Sequence, residues 1–340
     1  MTKAKLLNDL SPDELESHFE MVQRVQKKYN PGSFEPDETP EDWKKEWDKL
    51  YVAYKSKSFE QYSIFIDDVS VGWVGFMLDS RSASFNFNFD GDSISQLLLK
   101  VMLGKVHEYM LKYEIKDIYH WTFESTNIAA LKGIGAEIHE EMINTKIMRS
   151  EMNSEFYKNI ISNTDISGYK LLFYEELPDE LYDNFTLLMY DILNDYRSLN
   201  PVKQLRKRME KEDWKLRDNS EKLTGAKMQM YALLTPGNEI AAYCSLYIDK
   251  DNKETIRHSG GFTAVAREHR GKGFAKFLKA KMYLKLLEEN KDFIDVETDT
   301  MPWNTYMYRI NEEFGFKPVK YGYDFKLNRE FIKNYLNLQY

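Results

Sequence analysis

A basic glycine turn in the second half of the chain carries the residue types best suited to chemistry. Residues 257–281 read RHSGGFTAVAREHRGKGFAKFLKAK, a strand-like run followed by the turn and then a helix. Gly271 and Gly273 let the backbone approach a ligand closely and adopt conformations that a side chain would forbid. The helix that starts next presents unpaired N–H groups and a positive dipole end, which favour a phosphate. This order of strand, turn and helix predicts an anion-binding site.

The charge of this segment indicates the same class of ligand. Residues 267–281 contain six Lys or Arg and one Glu, whereas the whole chain has a formal net charge of −8. A local positive excess in an acidic chain favours an anionic ligand. The alternative is an ordinary loop, with Lys276, Lys279 and Lys281 on a solvated helix face.

The elements that position the turn occur twice along the chain. Strand-like YSIFIDD and VSVGWVGFML in the first half correspond to MQMYALLTP and NEIAAYCSLYI in the second. A helix follows each pair, over residues 95–113 and residues 273–289, with apolar residues at three- and four-residue spacings. One face of each helix is expected to lie on a sheet.

The order of elements continues in parallel after these helices. Each half gives a short strand, an asparagine (Asn127 and Asn304) and a helix that ends at a glycine. The repeat predicts two duplicated α+β domains, residues 1–150 and residues 165–340. They are expected to be joined near a polar stretch at residues 152–168.

Composition narrows the classes of function. A chain of 340 residues with 42% hydrophobic and 14% aromatic residues is typical of two packed domains rather than of disorder. The single cysteine, Cys244, excludes an intramolecular disulfide, and the six histidines lack metal-ligand spacing, so no metal is expected. The negative charge disfavours nucleic acid as a partner.

The distribution of apolar residues along the chain indicates the cellular location of the protein. Charges interrupt the apolar residues at the N-terminus, and no later stretch reaches about 18 apolar residues. A soluble, cytoplasmic protein without a membrane partner is therefore expected. The oligomeric state is left open by the sequence.

The turn RGKGFA resembles the signature Arg/Gln-x-x-Gly-x-Gly/Ala of the GNAT (GCN5-related N-acetyltransferase) superfamily. Arg270, Gly273 and Ala275 occupy the signature positions, and Asn304 and the Gly-Phe at 315–316 match the family in order and spacing. The tandem arrangement and the segment VETDTMPWNTYMYRINEEFGF are most similar to two-domain GNAT proteins related to mycothiol synthase.

The resemblance implies two tandem GNAT-like domains, each a mixed, mostly antiparallel sheet flanked by helices. It also implies acetyl-coenzyme A as co-substrate, with the pantetheine arm paired to a strand that splays from its neighbour and the pyrophosphate at the turn. The residues implied in coenzyme binding are Phe262, Thr263, Ala264, Val265, Arg270, Gly271, Lys272, Gly273, Phe274, Ala275 and Asn304.

Acetyl transfer from a thioester to an amine needs a deprotonated amine, a polarised carbonyl and a route for protonating the thiolate. The resemblance implies that a backbone N–H near Ala264 or Val265 holds the carbonyl. His258 and Glu297 are the candidate general bases. In many family members the general acid is a tyrosine seven residues after the helix-opening asparagine. This chain has Asn311 at that position, so the general acid is not assigned.

The first half departs from the family at the corresponding turn. It reads FNFNFDGDSISQLLLK, so Asp90 and Asp92 would meet a pyrophosphate with like charge. The N-terminal domain is therefore interpreted as a degenerate copy without a coenzyme motif.

Three functions fit these observations. The first is an N-acetyltransferase that acts on the primary amine of a small molecule by direct attack in a ternary complex. The second is a protein or peptide N-acetyltransferase, and the third is a non-catalytic acyl-coenzyme A sensor. The acidic composition favours a cationic amine, but no recognisable pattern identifies the acceptor.

Overall fold

The computed structural model is a mixed α/β structure that describes residues 2–29, 38–54, 58–78, 82–198, 209–223, 225–249, 254–258, 261–290 and 292–338. The strands are β1 Thr2–Leu6, β2 Glu60–Ile66, β3 Val69–Leu78, β4 Ala83–Phe89, β5 Asp117–Thr122, β6 Glu137–Met148, β7 Lys170–Tyr174, β8 Lys227–Leu234, β9 Ile240–Ile248, β10 Thr255–Arg257, β11 Thr263–Val265, β12 Asp295–Thr300 and β13 Lys317–Asn328. The helices are α1 Pro12–Tyr29, α2 Pro40–Tyr54, α3 Gln96–Lys112, α4 Ser125–Gly133, α5 Ser154–Asn163, α6 Tyr182–Ser198, α7 Lys211–Leu223, α8 Phe274–Glu289, α9 Thr305–Glu313 and α10 Arg329–Leu336. None of the helices within the described ranges combines the length and the apolar character that crossing a bilayer requires.

The chain divides into two compact units. Unit 1 comprises Met1–Glu141 and Tyr321–Tyr340, and unit 2 comprises Met142–Lys320. These bounds differ from the sequence-based ranges at both ends of the second domain. The reason is strand pairing: the second half of β13 pairs with β5 in unit 1, and the second half of β6 pairs with β12 in unit 2.

Unit 1 is built on a sheet with the order β1-β2-β3-β4-β5-β13. Its strands are antiparallel except for β4 and β5, which are parallel. Helix α3 buries an apolar face on this sheet through Met102, Leu103 and Val106. The N-terminus of α3 is capped by Ser95, whose hydroxyl accepts from the Leu98 N–H at 3.1 Å. The predicted helix at residues 95–113 is thereby confirmed.

Unit 2 is built on a sheet with the order β6-β12-β10-β9-β8-β7, with β11 paired to β9. Only β10 and β12 among these described pairs are parallel. One face of the sheet packs against α5 and α8, and the other face packs against α6 and α7. Unit 2 therefore has a core on each side of its sheet. Both units confirm the expected class of mixed, mostly antiparallel sheets flanked by helices.

The polar stretch at residues 152–168 is not an irregular linker, because it contains α5. Asn153 caps this helix by accepting from the Phe156 N–H at 3.0 Å. The fully buried Tyr157 stacks on Phe314 with ring centroids 5.4 Å apart. The apolar face of α5 consists of Phe156, Tyr157, Ile160 and Ile161, two pairs four residues apart that pack on the core of unit 2.

Candidate active site

Two neighbouring strands of unit 2 part from each other at the centre of the sheet. β10 pairs with β12 in parallel over residues 255–257, and the last bond runs from the His258 N–H to the Glu297 carbonyl at 2.9 Å. The next strand, β11, keeps the pairing with β9, with Thr263 opposite Cys244, but the pairing with β12 has ended. Within the described residues, the edge of β11 that faces β12 is therefore unpaired. The two strands enclose an opening, which we call the splayed gap, as the family resemblance implied.

A bulge produces this separation. Six residue steps lead from Arg257 to Thr263, whereas three lead between their partners Tyr247 and Cys244 on β9. Gly261 lies in the bulge, where an added Cβ would be 1.9 Å from the Ser245 carbonyl oxygen, so only glycine fits. Residues 259 and 260 of the motif segment lie outside the described residues.

The glycine turn leads from β11 into α8. Gly271 and Gly273 have φ of +78° and +80°, in the left-handed region that glycine alone adopts without strain. Gly273 is the N-cap of α8 and offers no side chain to the helix. Within the described chain, the N–H groups of Gly271, Lys272 and Gly273 have no protein acceptor. They form a donor set suited to a phosphate.

Two arginines hold the turn in place from outside. Arg270 donates to the Val265 carbonyl at 3.1 Å and to Asp195 of α6 at 2.6 Å, and Arg267 also pairs with Asp195. Burial alone would raise the pKa of Asp195, but the two guanidinium groups outweigh it and hold the pKa below its usual range. Arg270 thus braces the turn against α6, and coenzyme binding by Arg270 stays a prediction.

Tyr169 braces the other side of the turn. Its hydroxyl accepts from the Lys272 ammonium at 2.8 Å and bonds to His269 Nδ1 at 2.9 Å. The Tyr169 ring packs edge-on against the buried Phe274 at 4.8 Å between centroids. Phe274 therefore anchors the start of α8, and Ala275 follows it in the first turn of the helix.

His258 is buried at the base of the splayed gap. Its Nδ1 bonds to the Tyr283 hydroxyl at 2.7 Å, and its Nε2 lies 3.1 Å from the Thr263 hydroxyl and 3.6 Å from Cys244 Sγ. Burial lowers the pKa of His258 well below its ordinary value, so the ring is neutral at physiological pH. Cys244 is fully buried, as its strand context predicted, and burial raises the pKa of its thiol to about 11.

Asp299 lies on the opposite edge of the splayed gap. Glu297 on β12 and Tyr247 on β9 both pair with Arg257 on β10, so the three residues are level across the sheet. Two residues further along, Asp299 on β12 is level with Ser245 on β9. The Ser245 N–H bonds to the Phe262 carbonyl at 2.9 Å, so Asp299 is level with the start of β11. Side chains two apart share a face, so Glu297 and Asp299 project to the same side of the sheet.

The environment of Asp299 changes its acidity. Burial raises its pKa to about 6; the hydrogen bond from Asn144 at 2.6 Å opposes the shift, and the nearby Glu297 carboxylate adds to it. The pKa of Asp299 is also lowered by the charge of Lys320. A carboxylate with such a pKa is suited to accepting a proton near neutral pH. The position of Glu297 on its strand is recognisable from the sequence, whereas the raised pKa of Asp299 is not, because burial is not visible in strand spacing.

The two asparagines of α9 have structural partners. Asn304 caps the helix by accepting from the Met307 N–H at 3.3 Å. Asn311 is buried, accepts from the Lys279 ammonium at 2.7 Å and donates to the Thr300 hydroxyl at 2.8 Å. Coenzyme binding by Asn304 stays a prediction.

The corresponding turn in unit 1 is closed by its own side chains. Arg24 of α1 donates to Asp90 at 2.6 Å, and Lys28 pairs with Asp92. The N-terminus of α3 is already capped by Ser95. This turn presents carboxylates and a satisfied cap where unit 2 presents free N–H donors.

The strands of unit 1 also part, but side chains fill the opening. Pairing of β4 with β5 covers Ala83 and Ser84 within the described residues. Beyond them, His120 Nδ1 donates to the Phe85 carbonyl at 2.9 Å, and Asn127 donates to the Phe87 carbonyl at 3.0 Å. These bonds occupy the carbonyls that face the opening.

Comparisons with known proteins agree with this geometry. A sequence profile described as the acetyltransferase (GNAT) family matches residues 188–316. A search of curated proteins gave no match. Among solved structures, the chain is similar to a tandem GNAT protein from the clavulanic acid biosynthesis pathway, at a TM-score of 0.72 and 14% identity over 97% of this chain and 99% of that one.

Two further solved structures share the fold. A GCN5-related N-acetyltransferase from Sphaerobacter thermophilus gives a TM-score of 0.60 at 12% identity, covering 96% of each chain. A glucosamine N-acetyltransferase region of a fungal multi-domain β-N-acetylglucosaminidase gives 0.59 at 11% identity, covering 96% of this chain and 38% of that one. The family match supports acyl transfer in general. The protein therefore has the fold of tandem GNAT proteins, and residues 188–316, within its second unit, match the acetyltransferase (GNAT) family.

Proposed function

We propose that the protein is an acetyl-coenzyme A-dependent N-acetyltransferase that transfers the acetyl group to the primary amine of a small molecule. The observation that carries this proposal is the edge of β11 that no strand covers, followed in sequence by a turn whose N–H groups at Gly271–Gly273 have no acceptor within the described residues. An open strand edge can pair with the amide groups of the pantetheine arm, and N–H groups at a helix N-terminus bind phosphate. This surface therefore fits both the pantetheine arm and the pyrophosphate of coenzyme A.

The roles of the residues follow from this placement. The backbone groups of Thr263 and Val265 face the gap, whereas those of Ala264 face Tyr243 on β9. Thr263 and Val265 would therefore hold the pantetheine arm, and the Val265 N–H would polarise the thioester carbonyl. Bound acetyl-coenzyme A supplies an activated acyl group. The amine attacks the carbonyl carbon directly, within a ternary complex.

The geometry favours a carboxylate of β12 as the base. Both ring nitrogens of His258 are engaged by protein groups, and its ring is buried. Asp299 and Glu297 share a face of β12, and their negative charge also favours a cationic amine. A glucosamine N-acetyltransferase region shares the fold, which supports a small amine as the acceptor.

The proposal is tested by the release of free thiol from acetyl-coenzyme A against a library of amines, with mass spectrometry of the products. Thiol release together with an amine that is heavier by one acetyl group supports it. Acetylation of peptides alone would make the protein a peptide acetyltransferase. Tight coenzyme binding without turnover over the whole library would make it an acyl-coenzyme A sensor.

We expect acetyl transfer to fall as the pH drops below about 6. The pKa of Asp299 is raised to about 6, so protonation through this range removes the base. Asp299→Asn should reduce kcat by at least about a hundredfold, within the usual contribution of a general base, and leave coenzyme affinity unchanged. Glu297→Gln is the matched control on the same face of β12 and should lower kcat less. A pH profile of Asp299→Asn that still falls near pH 6 would assign that ionisation to another group.

We expect one coenzyme A to bind per chain. In unit 1 the His120 and Asn127 side chains occupy the strand carbonyls, and Asp90 and Asp92 stand at the turn. Isothermal calorimetry of the full chain measures the stoichiometry. Two equivalent sites per chain would contradict the interpretation of unit 1 as a degenerate copy.

A further inference from the structure

Two chains of polar side chains run from α8 to the two edges of the splayed gap. In the first, Lys279 donates to Asn311, and Asn311 donates to the Thr300 hydroxyl on β12. In the second, the Tyr283 hydroxyl bonds to His258, and His258 bonds to the Thr263 hydroxyl on β11. Lys279 and Tyr283 are one helical turn apart, so both chains start on the same face of α8.

These chains meet the strands at the same level. Glu297 on β12 and Tyr247 on β9 are level across the sheet, because both pair with Arg257. Thr300 lies three residues beyond Glu297 on β12. Cys244, the partner of Thr263 on β11, lies three residues from Tyr247 on β9 in the same direction. Thr263 and Thr300 therefore stand opposite each other across the splayed gap, and the polar chains form its floor.

Lys279 is the charged group of this floor. Its side chain is 1% exposed, and burial lowers its pKa to about 8. Within the described chain no carboxylate forms an ion pair with it, and its hydrogen-bond acceptor is the neutral Asn311. The groups that face it are Cys244, His258, Tyr283, Asn311 and Phe316. All of them are neutral at physiological pH.

A buried ammonium without a counter-ion is costly for a folded protein. That cost is partly recovered whenever an anion forms nearby in the same low-dielectric environment. The packing of α8 holds Lys279 in place before any reaction occurs, so no reorganisation is needed when the negative charge appears. Such an arrangement indicates a role in stabilising a transient anion at the splayed gap.

We propose that Lys279 stabilises the thiolate of coenzyme A that leaves during acetyl transfer; this inference rests on the proposed function. The amine lone pair forms the new C–N bond, the C–S bond breaks, and its electron pair stays on sulfur. The surplus proton of the amine passes to the base on β12, and the thiolate later takes a proton from water. Lys279 keeps its proton throughout and acts through its charge, as a positioning residue linked to the gap by Asn311 and Thr300.

The test is the ionisation of coenzyme A bound to the full-length protein, and it needs no acceptor amine. The ultraviolet absorbance of the thiolate is followed as the pH is raised, with the desulfo-coenzyme A complex as the blank for ionisation of the protein itself. The bound thiol should ionise at least about one pH unit below free coenzyme A, a tenfold change in the ionisation constant. Below pH 8, where Lys279 keeps its proton, a thiolate fraction of the bound coenzyme that is no larger than that of free coenzyme A overturns the inference without any variant.

Variants assign the effect to Lys279. Lys279→Met removes the charge at similar length and should abolish the shift. Asn311→Asp gives the ammonium a permanent counter-ion, keeps the size of the side chain, and should remove at least half of the shift. Lys285→Met is the control on the same helix, since Lys285 already pairs with Glu289, and it should leave the shift intact. A shift that persists in both Lys279→Met and Asn311→Asp overturns the role of Lys279.

The outcomes separate the two proposals. Calorimetry that detects no coenzyme A binding by the wild-type protein would overturn the proposed function and this inference with it. Binding with an unshifted thiol would overturn the inference alone.

Discussion

Replacing Gly273 by valine should reduce the affinity for coenzyme A by at least about a hundredfold, which corresponds to about 2.7 kcal/mol. The residue has φ of +80° at the N-cap of α8, and a β-branched side chain is strained there. The turn must then change its conformation, which displaces its free N–H groups. Isothermal calorimetry with coenzyme A measures the loss.

Gly135→Val is the matched control for this change. Gly135 in unit 1 has φ of +79° and open space around its Cβ position, so the same strain arises in the other unit and outside the turn. This variant should melt at a lower temperature and still bind coenzyme A with wild-type affinity. Arg270→Glu is a second test of the turn, because it sets a carboxylate beside Asp195 and breaks the brace to α6. Wild-type affinity in folded Gly273→Val would place the coenzyme elsewhere.

A fragment of residues 165–340 should fail to fold, whereas a fragment of residues 142–320 should give a cooperative thermal transition. The first fragment lacks the β6 residues that pair with all of β12, and it lacks α5 with the fully buried Tyr157. Losing one large buried aromatic residue typically costs about 3–5 kcal/mol. That is a large share of the usual stability of about 5–15 kcal/mol.

Circular dichroism melting curves of both fragments check this expectation, with the full chain as reference. The fragment of residues 142–320 should also retain coenzyme binding, since it contains the whole turn and both strands of the splayed gap. A cooperative transition in residues 165–340 would show that α5 and the end of β6 are dispensable for unit 2.

The parts of the site that the sequence predicted are those set by local geometry. Two glycines, basic residues and an apolar helix are contiguous, so the turn before α8 was recognisable from a short segment. Strands β3 and β9 were recognisable for the same reason, because their β-rich composition is a property of each strand alone.

The parts that were missed depend on contacts between distant residues. Asp195 and Tyr169 brace the turn from about 75 and 100 residues away in sequence, and no spacing relates them to it. The raised pKa of Asp299 and the neutral state of His258 result from burial, which emerges only when the sheet is assembled. The pairing of β13 with β5 is likewise a long-range choice that local propensity does not contain.

The pairing of β13 with β5 affects how the protein folds while it is synthesised on the ribosome. Residues 117–122 must wait for residues 323–328, and translation of the roughly two hundred residues between them takes about 10 to 40 s at typical elongation rates. Until then Ile118 lacks the cover of Phe325 and Leu327, which are fully buried in the finished core. Unit 2, which is contiguous in sequence, emerges whole in the meantime. The nascent chain should therefore complete its second unit first and present an open sheet edge to chaperones until the last strand emerges.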